Sequence, residues 1–201
     1  MKALLDIQAV KFSPDEPKTF KSGIISPVYV DNRAIPYHPQ AWQQVIAGFQ
    51  AKAKTLSFDI IAGIAVAGIP HSAALAYAMS KPSVFVRKEA KEHGLKNRIE
   101  GGDVSGKRVL LIEDLITTGG SSLDGVAELR KAGAIVEDCM AIVSYGFQES
   151  VAAFEQAGVT LHTLTNFDLI LQEGLAMGYF QPGDAEIIRA WLADPHGWGR
   201  A

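Results

Sequence analysis

One stretch constrains this chain more than any other: Arg108 to Ser122, reading RVLLIEDLITTGGSS. Val109 to Ile112 form an unbroken run of branched apolar residues, the pattern of a strand buried on both faces in a parallel sheet. Glu113 and Asp114 close that run. Leu115 and Ile116 lead into Thr117, Thr118, Gly119, Gly120, Ser121 and Ser122, a loop rich in hydroxyls and glycine. Leu123 to Ala132 then has helical composition and stops at Gly133. A strand, a loop without bulk and a helix start together make an anion site. The glycines admit the ligand to the backbone, the hydroxyls donate, and the first-turn N–H groups point outward.

The loop is neither Gly-x-x-x-x-Gly-Lys-Ser/Thr nor Gly-x-Gly-x-x-Gly, so the common nucleotide fingerprints do not apply. The acid pair is the informative departure. Two carboxylates beside a phosphate cradle repel the phosphate unless they face a sugar diol or a Mg²⁺ carried by the substrate. A ribose 5-phosphate offers both a phosphate for the loop and hydroxyls for the acids. The plainer alternative is a buried strand ending in a polar turn, which a bare Gly-Gly-Ser-Ser would suit as well. With every part in order, the stretch resembles the phosphoribosyl-pyrophosphate (PRPP) motif of the type I phosphoribosyltransferases.

At 201 residues, a single domain spanning 1–201 is expected, with enough chain for a sizeable core. A net charge of −3 gives no general pull toward nucleic acid or membrane. The single Cys139 excludes an intrachain disulfide and a cysteine-based zinc cluster, and fits a reducing cytosol, so the expected location is cytoplasmic. Asp6 interrupts any signal-like run at the start. The one membrane-like segment, Ile60 to Met79, is broken by Gly63, Gly68, Pro70 and His71.

Residues 1–38 read as a small hood. A short helix over Ala3 to Val10 and a loop from Phe12 to Pro17 precede two β-rich pieces, Thr19–Gly23 and Val28–Asp31, expected to form a hairpin or a small sheet. Pro39 opens a helix whose apolar stripe is Trp42, Val45, Ile46, Phe49 and Ala53. Phe58 to Ile64 is the next strand, and Ala65 to Ile69 a small-residue loop ahead of a helix with Pro70 in its first turn. That loop could present N–H groups to a second phosphate or simply allow tight helix-on-sheet packing. Ser83 to Val86 is a further strand. It runs into Arg87 to Gly102, a segment dense in cations within an acidic chain. Such runs are usually solvated loops; here a cationic lid that neutralises a departing pyrophosphate is the sharper reading.

Arg87-Lys-Glu-Ala-Lys-Glu-His-Gly94 is similar in order and spacing to the catalytic loop of the orotate phosphoribosyltransferases. Lys21-Ser-Gly, Ser26-Pro-Val-Tyr-Val-Asp31 and Gly68-Ile-Pro-His71 resemble other parts of that family. The resemblance implies transfer of a phosphoribosyl group from PRPP to orotate, with Mg²⁺, giving orotidine 5′-monophosphate and pyrophosphate. It implies that Glu113 and Asp114 hold the ribose hydroxyls, with Asp114 also catalytic, and that Leu115, Ile116, Thr117, Thr118, Gly119, Gly120 and Ser121 bind the 5-phosphate. Lys91 and His93 are implied as lid groups over the pyrophosphate, Lys91 the main catalytic candidate. Arg87 and Lys88 would reach the phosphates, partly across a homodimer interface that shares lid residues. Ala67 and Gly68 would form the pyrophosphate loop. Lys21 would lie near PRPP and base, with Thr117, Tyr29 and Val30 beside the orotate. Two departures stand out: Ala67 replaces a lysine found in some relatives, and Ser144-Tyr-Gly-Phe-Gln148 lacks the arginine that some place against orotate.

Ile135–Ser144, Glu149–Ala157 and Val159–Leu164 continue the alternation. Asp168–Met177 and Pro182–Leu192 read as terminal helices, and 195–201 as a loose tail. His38, His71, His162 and His196 read as structural or surface groups. The expected fold is α/β: a type I phosphoribosyltransferase-like, mostly parallel sheet flanked by helices, its site beyond the carboxyl ends of the strands. The rivals are a purine-base phosphoribosyltransferase and a PRPP-sensing regulator that binds nucleic acid. The hood and the charged loop argue against the first, and the absence of a basic module against the second.

Overall fold

A computed structural model of the chain describes residues 1–89 and 98–199. The elements in order are α1 (Lys2–Asp6), β1 (Val10–Phe12), β2 (Lys18–Thr19), β3 (Ile25–Ser26), β4 (Val28–Val30), a 3₁₀ turn (Asn32–Tyr37), α2 (Pro39–Ala53), β5 (Ile60–Ile64), α3 (Gly68–Met79), β6 (Ser83–Val86), β7 (Ile99–Glu100), β8 (Arg108–Ile116), α4 (Gly120–Lys131), β9 (Ile135–Ser144), α5 (Gln148–Gln156), β10 (Thr160–Asn166), α6 (Phe167–Ala176) and α7 (Pro182–Ala193).

Six strands form the main sheet in the order β10-β9-β8-β5-β6-β7. All neighbours run parallel except β7, which is antiparallel to β6. The parallel strands are the continuous apolar runs expected of them, with every residue of β5 buried. From β5 the chain moves outward to β6, then returns to place β8 on the other side of β5. The crevice above β5 and β8 is therefore the topological switch point of the sheet, where open α/β sheets bind ligands.

Alternation along β8 sends Leu110 and Ile112 to one face and Val109 and Leu111 to the other, each into its own core cluster. The stripe of α2 packs on the Leu110 face with Leu75 of α3, while Val126 and Leu129 of α4 and Phe154 of α5 cover the opposite face. Trp191 of α7 is fully buried beside Phe20, Tyr145, Phe147 and Phe167. Its indole N–H donates to the Ile25 carbonyl at 2.9 Å, tying the last helix to the hood.

Several local expectations change. Val28–Val30 does not pair with the Thr19 piece: β4 pairs with β1, and β2 with β3. Only Lys2–Asp6 is helical at the start, because Val10 to Phe12 join that small ladder. The strand expected over Val109–Ile112 continues to Ile116, since its ladder with β9 holds through Glu113↔Ala141, Leu115↔Val143 and Ile116↔Ser144. Part of the charged segment is strand: Ile99 and Glu100 pair with Val86 and Phe85. Beyond α7 the chain is pinned rather than loose as far as Gly199. Trp198 packs against the core, and its N–H donates to the Asp194 carbonyl at 3.0 Å. Among the described residues, no helix is long and apolar enough to cross a membrane.

Candidate active site

Two helix starts meet over the switch point. On one side, β8 ends at Ile116 and α4 begins at Gly120, with Gly119 as its N-cap at φ +85°. A side chain there would be strained, and its Cβ would meet the Phe154 ring at 2.8 Å. On the other side, β5 leads through Ala65, Val66 and Ala67 into α3, whose first residue Gly68 presses on β8. A Cβ on Gly68 would sit 2.6 Å from the Ile112 carbonyl oxygen. The loop anticipated over Ala65–Ile69 is thus shorter, with Gly68 and Ile69 already helical. The starts of α3 and α4, the two loops expected to hold phosphate, thus both border the end of β8.

The acid pair lies between them. As neighbours on a strand, Glu113 and Asp114 leave the backbone toward opposite faces. Glu113 is buried, and its carboxylate accepts from Ser122 Oγ and from the Asp114 N–H, each at 3.2 Å. Burial, reinforced by the Asp114 charge, holds Glu113 well above the usual carboxylate range. Burial also raises Asp114, a rise opposed by Glu113, by nearby backbone N–H groups and by the charge of Arg33. Two carboxylates held reluctant to ionise by burial suit hydroxyl donors or a cation brought by a ligand. Thr117 and Thr118 are half-buried beside them, while Gly120 and Ser121 are exposed.

The hood closes the Asp114 side. Asn32, fully buried, donates from Nδ2 to the Asp114 carbonyl at 2.9 Å. Behind it, Trp42 Nε1 donates to His71 Nδ1 at 3.2 Å, and burial lowers His71 to about 4 despite the Asn32 backbone beside it. Tyr29 is half-buried and Val30 buried. The bonds from Asp31 N–H to Ala9 and from Ser13 N–H to Pro27 fix the ladder phase. In that phase the N–H and C=O of Val30 point away from β1. The corresponding outward groups of Val28 are taken by Ser26 Oγ. Among the described residues, no partner takes the outward N–H and C=O of Val30.

Lys21 is exposed at the tip of the β2–β3 hairpin, and Lys88 lies close enough that its ammonium lowers Lys21 below the ordinary lysine range. Arg87 Nη1 pairs with Glu100 at 3.2 Å. Lys91 and His93 lie outside the described residues. Sequence reasoning missed Asn32, Arg33 and the role of Ser122 toward Glu113. The polar run Asp31-Asn-Arg33, placed directly after an apolar strand, was the available signal.

A phosphoribosyl transferase domain family matches residues 34–145. The orotate phosphoribosyltransferase of Listeria monocytogenes serotype 4b is 42% identical over 199 residues, covering 98% of this chain and 95% of the relative. The chain belongs to the orotate phosphoribosyltransferase family. The same enzyme from Coxiella burnetii is 41% identical over 199 residues, with 98% and 95% covered. Among solved structures, the family member from Aeropyrum pernix has a TM-score of 0.77 at 27% identity, covering 90% of this chain and 98% of that one. The UMP synthase of Leishmania donovani has a TM-score of 0.85 at 28% identity; 96% of this chain matches 41% of that longer one.

Among the described residues no three His, Cys, Asp or Glu side chains gather as a metal site. Glu113 and Asp114 are the oxygen donors that would face a Mg²⁺ carried in by a ligand.

Proposed function

We propose that this enzyme transfers the 5-phosphoribosyl group of PRPP to orotate, releasing pyrophosphate. One observation carries the reading: in a chain of this family, Gly68 sets the start of α3 directly against the β8 end from which Asp114 and the α4 loop project. A single ligand bearing a phosphate, a diol and a diphosphate satisfies all three.

The residues divide the work as follows. Thr117 to Ser121 and the first turn of α4 take the 5-phosphate; Asp114, with Glu113 beneath it, accepts from the ribose hydroxyls. The backbone of Ala67 and Gly68 faces the diphosphate, with Lys21 and Lys88 flanking it. Arg87, Lys91 and His93 are assigned to the diphosphate by sequence alone. Departure of pyrophosphate leaves positive charge on the sugar, as in other glycosyl transfers, and carboxylates held in low dielectric beside the ring stabilise it. Mg²⁺, entering on the diphosphate, would supply charge neutralisation of the leaving group. The base lies against the open edge of Val30, near Tyr29 and Thr117. A homodimer sharing lid residues and a cytoplasmic location belong to the same reading.

The test is PRPP-dependent loss of orotate absorbance, with adenine, guanine and hypoxanthine as controls. Consumption of orotate alone supports the proposal. Consumption of a purine, or of no base despite PRPP binding, overturns it.

A further inference from the structure

Orotate carries a carboxylate on its ring, and an enzyme that distinguishes it from uracil needs a donor for that group. The segment after β9 offers no charged donor. Ser144, Tyr145 and Phe147 are buried, and Tyr145 is stacked between Phe20 and Phe147. Of the nearby cations, Arg87 pairs with Glu100 and Arg98 with Asp124 and Glu128, while Lys21 and Lys88 lie together and are assigned to the diphosphate.

Arg33 is placed differently. It follows Asn32, whose side chain is bonded to the Asp114 backbone, so the turn carrying it is fixed to the end of β8. Its Nε donates to Asp31 Oδ1 at 3.2 Å and its Nη2 to the Tyr29 hydroxyl. These bonds hold the guanidinium plane at two of its five N–H groups. Among the described residues, nothing takes Nη1 or the second Nη2 proton. That leaves an outward edge able to grip a carboxylate with two parallel bonds. The side chain is 62% exposed and Asp31 33% exposed, so the existing ion pair is solvated and can share its cation.

We propose that Arg33, braced by Tyr29 and Asp31, binds the substrate's carboxylate while the Val30 backbone meets the pyrimidine edge. The proposal rests on the orotate reading above and extends it to substrate choice.

The test compares wild type with Arg33→Gln and Arg33→Lys, measuring KM for orotate and for PRPP separately. It also measures the competitive inhibition constant of the uncharged analogue uracil-6-carboxamide. Loss of a charge-assisted bidentate contact is expected to raise the orotate KM about ten- to a hundredfold. The PRPP KM should stay within about twofold of wild type, since the phosphates bind elsewhere. The preference for carboxylate over carboxamide should collapse in Arg33→Gln and return in part in Arg33→Lys. An unchanged orotate KM, an equal rise in both KM values, or a retained preference for the carboxylate overturns the assignment. Far-UV circular dichroism separates these outcomes from misfolding. Failure of the wild type to consume orotate would overturn the activity itself, whereas an active wild type with an indifferent Arg33→Gln overturns only the role of Arg33.

Discussion

Asn32 and Asp114, 82 residues apart, are joined by a 2.9 Å hydrogen bond from the Asn32 amide to the Asp114 carbonyl. This bond fastens the hood to the strand end that bears the acid pair. It also makes the hood part of the site. Replacing Asn32 with Leu removes the donor and leaves a partly buried carbonyl unpaired. The expected cost is about 1–3 kcal/mol in urea unfolding, together with a higher KM for PRPP. If stability falls and the PRPP KM does not move, Asn32 is only structural.

Gly68 and Gly120 both begin helices at the crevice, yet they should respond oppositely to alanine. At Gly68 the new Cβ would meet the Ile112 backbone oxygen at 2.6 Å, and a central strand cannot yield. At Gly120 the nearest atom is the Thr118 hydroxyl oxygen at 3.9 Å. Gly68→Ala should therefore destabilise by about 1–3 kcal/mol and weaken PRPP binding. Gly120→Ala should leave unfolding within about 0.5 kcal/mol of wild type. Paired denaturant melts and PRPP calorimetry decide it; equal effects at the two glycines would contradict the packing described.

Much of this architecture was readable because its signals are local. A strand buried on both faces is one uninterrupted apolar run, as in Val109–Ile112, and the α2 stripe repeats at helical spacing. The unreadable parts depend on partners distant in sequence. Glu113 and Asp114 look like a strand end, but β9 continues to pair with the backbone beneath them whatever the side chains carry. The two-residue strand β7 is too short to show a period. Thr19 and Val28 both look like hairpin strands, and only the fold decides that Val28 belongs to β1. At the site, the loops were visible from glycine and hydroxyl content, whereas the Asn32 tether was not, since nothing beside Asn32 in the chain signals Asp114.

His71 supplies a pH dependence of known sign. Burial lowers it from 6.5 to about 4, so the unfolded chain binds a proton that the folded state resists. Its contribution is fully present above pH 6.5 and is lost as pH falls from there toward 4, by up to about 3 kcal/mol. His71→Phe strands the Trp42 N–H and should be less stable than wild type at pH 7. It lacks the titration, however, so the gap should narrow between pH 7 and pH 4.5 in urea melts. A gap of constant size would rule out His71 as the titrating group.

Glu113 acts in the opposite direction. Its folded carboxyl is held well above its ordinary range, chiefly by burial, so it favours the protonated form more strongly folded than unfolded. The cost of ionising it is absent below the usual carboxylate range and grows as pH rises from there toward the folded value. At neutral pH the ligand-free protein therefore bears a strain that a bound sugar's hydroxyls would relieve. Glu113→Gln keeps the shape and can still accept from the Asp114 N–H while donating to Ser122 Oγ. The variant should match wild type near pH 4 and exceed it by about 1 kcal/mol at pH 7.5, a gain typical when an active-site charge is removed. It should also bind PRPP more weakly and turn over more slowly, because the relieved strain is the one the substrate was meant to relieve. Thermal melts at the two pH values, with and without PRPP, check both halves. A variant no more stable than wild type at pH 7.5, yet equally active, would show that Glu113 is neither strained nor used.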